Sequence, residues 1–455
     1  MDKSTEQTVL FPELFSKPAV VMFDGETLSS DGGALLLAAV EREMGLIARV
    51  SGHILDRRDP LRIEYTIQEL FRQRTLSIAM GYADGNDAQD LRRDAVLRLM
   101  SRGTKAREST VGSQPTLSRF ENAPSAREQV AMIRTFEIEV VNRLKKTHKR
   151  PHLITIDVDG SEDRTHGQQA FAFFNGHYDS WCFIPNFAFV SFDEDAELYL
   201  VHARLRPGNS PPARGTIPFV RRIVNQLKRK FPGARIRVRM DAGYATPAVF
   251  DSLERLKVEY IVAMGSNSVL LRKAEPFLAE ARVEAKRTDQ SARVFGDFEY
   301  STKNWSHPRR VIVKAEVVAF SGRELRDNPR FVITNLGQRP RRVYEIYCAR
   351  GNSENRIKEL KLDLEIDRTS CSRFLANQFR VTMTAVAYAL YQQLRASLRR
   401  TELQRATVAT IRHRLLKIGV RVTESVRRIV LHFPAAYPGR ALWLRLARSL
   451  RAAVI

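Results

Sequence analysis

Two rhythms of apolar residues divide this chain. Up to about residue 150 the spacing is helical. Ala34-Leu35-Leu36-Leu37-Ala38-Ala39-Val40 follows Asp31-Gly32-Gly33, Tyr65 to Phe71 continues in the same period, and Ala95 to Met100 resumes it after the polar stretch 81–94. At Gln114-Pro115-Thr116-Leu117-Ser118-Arg119-Phe120 a proline ahead of a helical pattern predicts a short helix. From His152 the grain changes to strands: Leu153 to Asp159 alternates apolar with polar, and Cys182–Phe192 and Glu197–Arg206 are two further strand candidates. A basic helix (Ala213–Lys230), a strand (Ile236–Met240) ending on Asp241, a helix (Pro247–Leu256) and a strand (Tyr260–Met264) complete the run.

Three strands joined by hairpins, then strand-helix-strand, is the order of a ribonuclease H-like sheet, so the fold class is α/β with a mixed-sheet core. Residues 151–265 read as its first part. Residues 266–340, with Arg293-Val294-Phe295, Val311 to Lys314 and Phe331 to Thr334, read as a β-rich insertion ahead of the closing helix. The core resumes over 341–394, with helices at Gly351–Leu364 and Ser372–Leu394. Residues 1–150 form a helical N-terminal region and residues 395–455 a helical, basic C-terminal tail. No repeat or low-complexity tract appears.

Charge narrows the partner. In 455 residues, 74 Lys and Arg stand against 51 Asp and Glu, a net charge of +23, and the tail alone carries fourteen Arg or Lys against Glu402 and Glu424. Such a surplus favours a polyanion, because each cation against a phosphate releases condensed counterions. The short helix at Gln114 is then either a solvated surface helix or an element that reads DNA. The hydrophobic share of 44% excludes a disordered chain. No stretch of eighteen apolar residues occurs, and Met1-Asp2-Lys3-Ser4-Thr5-Glu6 lacks the layout of a leader, so a cytoplasmic, nucleoid-associated protein away from membranes is expected. Cys182, Cys348 and Cys371 lie too far apart in sequence for CxxC spacing, so free thiols are expected. The absence of GxxxxGK[ST] predicts no nucleotide cofactor. His166 and His177 bracket a polar loop and have no metal-ligand spacing.

Magnesium-dependent phosphodiester chemistry needs carboxylates converging from different elements, because hard cations take oxygen ligands. Three places supply them. Asp157 and Asp159 share one face of the first strand, being two residues apart, and Asp159 is favoured because Gly160-Ser161 end the strand there. Asp241 leaves the fourth strand at its C-terminal end, ahead of Gly243. Tyr347, Arg350, Glu354 and Lys361 fall near one face of a single helix at 100° per residue, and Gly351-Asn352-Ser353 alternatively caps a helix at Ser353, leaving Tyr347 and Arg350 on the entering segment.

Tyr347-x2-Arg350-x3-Glu354-x6-Lys361 resembles the Tyr-Arg-Glu-Lys signature of bacterial insertion-sequence transposases of the DDE type. Asp159-Gly160-Ser161 and Asp241-Ala242-Gly243-Tyr244 resemble that family's two aspartate motifs. Thr165 to Gln169, Phe174 to Ser180, Gln114 to Arg119 and Asp367 to Cys371 resemble one of its subgroups. The resemblance implies that Asp159, Asp241 and Glu354 are catalytic and hold two Mg2+ ions, with Mn2+ as a substitute. It implies that Tyr347, Arg350 and Lys361 contact DNA, and that residues 1–150 bind DNA ends. It further implies a homodimer on paired inverted repeats, hydrolysis that frees a 3′-OH, and attack of that group on double-stranded target DNA. Relatives also stack a flipped base on an aromatic residue, for which Trp305 is a candidate; packing of Trp305 within the inserted segment is the competing expectation.

Overall fold

The alternation over Leu153–Asp159 becomes β1 (Leu153–Gly160), whose middle residues are buried, as expected for a central strand covered on both faces. The computed structural model describes residues 9–11, 16, 17, 19–22, 25–103, 110–193, 195, 197–320 and 324–450. The opening stretch Met1–Glu6, from which the lack of a leader was read, lies outside them. No described helix is long and apolar enough to cross a membrane.

Beside β1 lie β2 (Asn186–Phe192) and β3 (Tyr199–Arg204), joined antiparallel. The single strand expected over Cys182–Phe192 is two, Ser180–Phe183 and β2, because Pro185 falls between them. On the other side of β1 come β4 (Arg235–Met240), parallel to β1, and β5 (Glu259–Met264), parallel to β4. Parallel strands need crossovers, supplied by α2 (Thr216–Lys230) before β4 and α3 (Pro247–Arg255) before β5.

The segment expected as a β-rich insertion begins with a 21-residue helix, α4 (Ser268–Thr288). Its strands β6 (Ala292–Tyr300), β7 (Arg309–Val318), β8 (Arg326–Asp327) and β9 (Arg330–Thr334) do not build a separate sheet. β9 pairs antiparallel with β5, so one nine-stranded sheet runs β6-β7-β9-β5-β4-β1-β2-β3, with β8 on β7. α4 covers β6 and β7. Residues 330–334 read Arg-Phe-Val-Ile-Thr, with Phe331 to Thr334 buried; such a strand finds cover by joining an existing sheet.

On the far side of the sheet, α1 (Ala126–Thr147) and α7 (Phe374–Ser397) pack over β3. α7 is buried almost all round, and its polar residues complete the sheet edge. Gln392 and Gln378 accept hydrogen bonds from Leu200 N and Leu205 N at 3.1 and 2.7 Å, covering an edge that would otherwise expose unpaired backbone. Beyond α7 the tail is not wholly helical. Arg421–Glu424 and Ile429–His432 pair as a hairpin, as their β-branched and apolar content favours, before the helix Arg440–Ser449. The tail docks on the N-terminal region through the Ser29–Val420 bridge and the Lys417–Asp31 ion pair at 2.7 Å.

Candidate active site

β1 and β4 run side by side with Asp157 level with Arg239 and Val158 level with Met240. The next residues, Asp159 and Asp241, therefore leave neighbouring parallel strands together at the C-terminal edge, where open α/β sheets place ligands. Asp159 is only 6% exposed. Its carboxylate accepts from Arg350 at 2.7 Å and from Gly160 N at 3.0 Å. Burial pushes its pKa up to about 6; Arg350 opposes that shift, and the negative charges of Asp241 and Glu354 add to it. Asp241 accepts from Gly243 N at 2.8 Å, which folds the strand end into a tight turn. A Cβ on Gly243 would sit 2.7 Å from Pro212, so only glycine fits this approach.

The Glu-bearing region is two helices with a break. α5 (Pro340–Cys348) ends after Tyr347, and α6 (Gly351–Leu364) is capped by Arg350 rather than by Ser353, whose hydroxyl donates back to Arg350 O at 2.8 Å. Arg350 swings onto Asp159 and also reaches Glu354 at 3.3 Å, tying the strand acid to the helix acid. The Tyr347 ring lies 6.0 Å from the Arg350 guanidinium carbon; burial raises its phenol, and Asp241 and Asp159 also act on it. Lys361 stands apart, donating to Glu162 O at 2.7 Å and pairing with Asp367 at 3.2 Å. Trp305 packs edge-on to Tyr300 of β6 and Phe250 of α3, centroids 5.3 and 5.4 Å away, so its contacts reach beyond the inserted segment.

The choice between Asp157 and Asp159 takes physical form here. Asp157 is fully buried, and both its oxygens are taken by Arg239 at 2.6 and 2.7 Å. That carboxylate is committed to a buried ion pair, whereas Asp159 stands two residues nearer the strand ends.

A model of the family described as transposase DDE domain group 1 matches residues 11–455. The chain belongs to this transposase family. No curated protein matches it. Among solved structures the transposase is similar to the piggyBac transposase synaptic complex with hairpin DNA, at 11% identity over 84% of this chain and 79% of that one, TM-score 0.38. It is also similar to the Mos1 transposase paired-end complex with the left transposon end, at 13% identity over 53% and 61%, TM-score 0.17. At TM-scores below 0.5 these likenesses carry no weight.

Around the acids the transposase adds Arg206, which no motif contained, and Tyr178 and Tyr244, which lie in segments that carry the resemblance. Arg206 is buried and pairs with no carboxylate among the described residues. It donates to the carbonyls of Ile184, Pro211 and Pro212, while its second terminal nitrogen has no partner and lies 3.4 Å from where a Cβ on Gly160 would stand. Tyr178, at the turn between Phe173–Asn175 and Ser180–Phe183, feels both Asp159 and Asp241, which with burial raise its phenol. Tyr244 is fully buried and donates to Asn186 at 2.9 Å. Arg206 lies two residues past the end of β3 and belongs to no motif; only its neighbours in space give it meaning. Two segments that carry the resemblance are each anchored from outside: Thr369 donates to Asp163 at 2.8 Å, and Gln169 accepts from Asn377 at 3.1 Å.

Among the described residues, no three His, Cys, Asp or Glu side chains are grouped to hold a metal ion as they stand. Arg350 provides the positive charge between Asp159 and Glu354 instead. The donor chemistry nonetheless suits a hard divalent cation: three carboxylates from separate elements, of which Asp159 is made more basic by the other two.

Proposed function

We propose that this transposase excises and inserts an insertion sequence, hydrolysing DNA at terminal inverted repeats and joining the freed 3′-OH to target DNA. The observation that carries the reading is the emergence of Asp159 and Asp241 from adjacent parallel strands, coupled through Arg350 to Glu354. That is the oxygen-rich, cation-balanced centre that phosphodiester exchange requires.

Asp159, Asp241 and Glu354 are the residues that would hold divalent ions, Mg2+ by preference. When bound, such ions neutralise charge on the attacked phosphate and make an oxygen nucleophile available at neutral pH. The chain's own groups do the positioning. Asp159 and Asp241 would hold the ions, and through them the attacked phosphate, at the sheet edge. Arg350, released from the acids, offers its planar donors to a phosphate oxygen, and Tyr347 steadies that guanidinium. Lys361, held to Glu162 and Asp367, would contact the backbone farther along. Double-stranded DNA is the partner the charge of +23 favours, and a homodimer on paired ends matches the two cuts that excision requires.

Incubating the protein with DNA bearing the element's inverted repeats, a target plasmid and Mg2+ tests the reading. Wild type should yield nicked ends and joined products, and Asp241→Asn neither. Equal nicking by Asp241→Asn overturns the catalytic assignment; cleavage without joined product identifies a nuclease of the same fold.

A further inference from the structure

A second cationic site lies behind the catalytic helix. On α6, Asn352 and Arg356 are two residues either side of Glu354, so at 100° per residue both point about 160° away from it. They line a groove of about 780 Å3, closed on its other side by Arg395 and by Arg399, Arg400 and Arg405 beyond α7. Asn355 and Gln404 add amide groups, whereas the Gln392 amide is spent on Leu198 O and Leu200 N, and Asp195 and Glu197 are the acids in its wall.

The arginines divide by how they are occupied. Arg395 is spent: it pairs with Glu359 beneath the groove and with Glu197 at 3.0 Å, and donates to Ala406 O. Arg399 shares Asp195 at 3.3 Å. Arg356 gives one terminal nitrogen to Glu359 at 2.9 Å, while its Nε is buried without a partner. Arg400 and Arg405 are exposed and have no carboxylate within ion-pair distance among the described residues. Gln404 Oε1 accepts from Arg400 N at 3.2 Å, which turns its amide NH2 outward as a donor. The wall thus offers unspent cationic and amide donors and few unspent acceptors. Like charges gathered in a concave wall repel one another, and an anion rich in oxygen relieves that repulsion.

We propose that this groove binds backbone phosphates of duplex DNA, at a place separate from the phosphate attacked at Asp159 and Asp241. The size of the groove exceeds one phosphate, and its open, arginine-lined shape suits a continuous backbone. Phosphates seated there would also bear on Asn352 and Arg356, at the start of the helix that carries Glu354. The proposal deepens the DNA-cutting reading and rests on it for the identity of the polyanion.

The test uses the full chain without divalent metal, binding a fluorescent duplex across a salt series, with wild type, Arg400→Gln/Arg405→Gln and Asp241→Asn compared. Each phosphate contact contributes about 0.9 to the slope of log affinity against log salt. The double variant should lose about 2 from that slope and bind roughly 10-fold more weakly at moderate salt, with an unchanged melting temperature because both side chains are exposed. Asp241→Asn should keep the wild-type slope. An unchanged slope in the double variant overturns the proposal, whatever the cleavage assays show. Pyrophosphate supplies the other arm: if it raises the melting temperature of wild type but not of the double variant, while duplex binding is equal in both, the groove holds a free polyphosphate and the DNA assignment falls. Loss of cleavage in Asp241→Asn reports on the catalytic reading alone.

Discussion

Asp157 and Arg239 stand level on adjacent parallel strands and form a two-point ion pair, 2.6 and 2.7 Å, two residues before Asp159 and Asp241. The remaining Arg239 nitrogen donates to Ile346 O at 2.7 Å, near the end of α5. Through this chain of contacts the buried acid holds the helix end from which Arg350 reaches Asp159. Removing one partner of a buried pair leaves an uncompensated charge, costing about 3–5 kcal/mol. Asp157→Ala should therefore destabilise the protein by that order in urea unfolding, and by more than Asp159→Ala. Equal losses would show that Asp157 carries no special structural duty.

Arg350 competes with any cation for the oxygens of Asp159 and Glu354. Arg350→Ala should bind Mn2+ in the DNA-free protein more tightly, by roughly 5-fold if the partly buried pair is worth about 1 kcal/mol, yet lose DNA cleavage. Calorimetric Mn2+ titration decides the first point; weaker binding by the variant would show that the guanidinium prepares the acids rather than blocking them.

Asp163 is buried with one oxygen unpartnered, and burial pushes its pKa up to about 8. A raised carboxyl pKa means that the folded state holds a proton the unfolded chain releases. Stability from this group is therefore full below about pH 4 and falls as pH rises toward 8. Asp163→Asn keeps the acceptor for Thr369 without the titration. The variant should be more stable than wild type at pH 8 by a few kcal/mol, on the order its pKa implies, with the gap closing toward pH 4. Melting curves across pH that run parallel for both proteins would rule this out.

Gly243→Ala places a methyl 2.7 Å from Pro212 and 3.1 Å from the Asp241 carboxylate. Overpacking of this kind costs about 1–3 kcal/mol. The turn holding Asp241 should shift, lowering cleavage more than duplex binding; cleavage at wild-type rate would show that the loop absorbs the methyl.

Much of the central sheet was legible in sequence, because strand alternation and helix period are local properties of the chain. Gly351–Leu364 coincides with α6, and Ile236–Met240 lies within β4. The segment 266–340 was harder. Its strands can be read one by one, but their joining the main sheet through β9 and β5 is a pairing between distant residues, and no local period encodes a partner. The same limit hid the hairpin in the tail and the spending of several tail arginines on internal contacts. Arg395 pairs with Glu359 and Glu197, and Arg412 donates to Ala79 O at 2.9 Å.

By itself the sequence determined which acids were available, their order along the chain and the cationic surplus around them, since composition and spacing are written in the residues. Strand period alone could not separate Asp157 from Asp159, which share one strand face; only the strand end at Gly160-Ser161 favoured Asp159. Only tertiary structure gives the two acids different partners, bringing Arg239 from the neighbouring strand against Asp157 and Arg350 from a distant helix against Asp159. Ionic partners act through space, and the fold alone sets which charges come within reach.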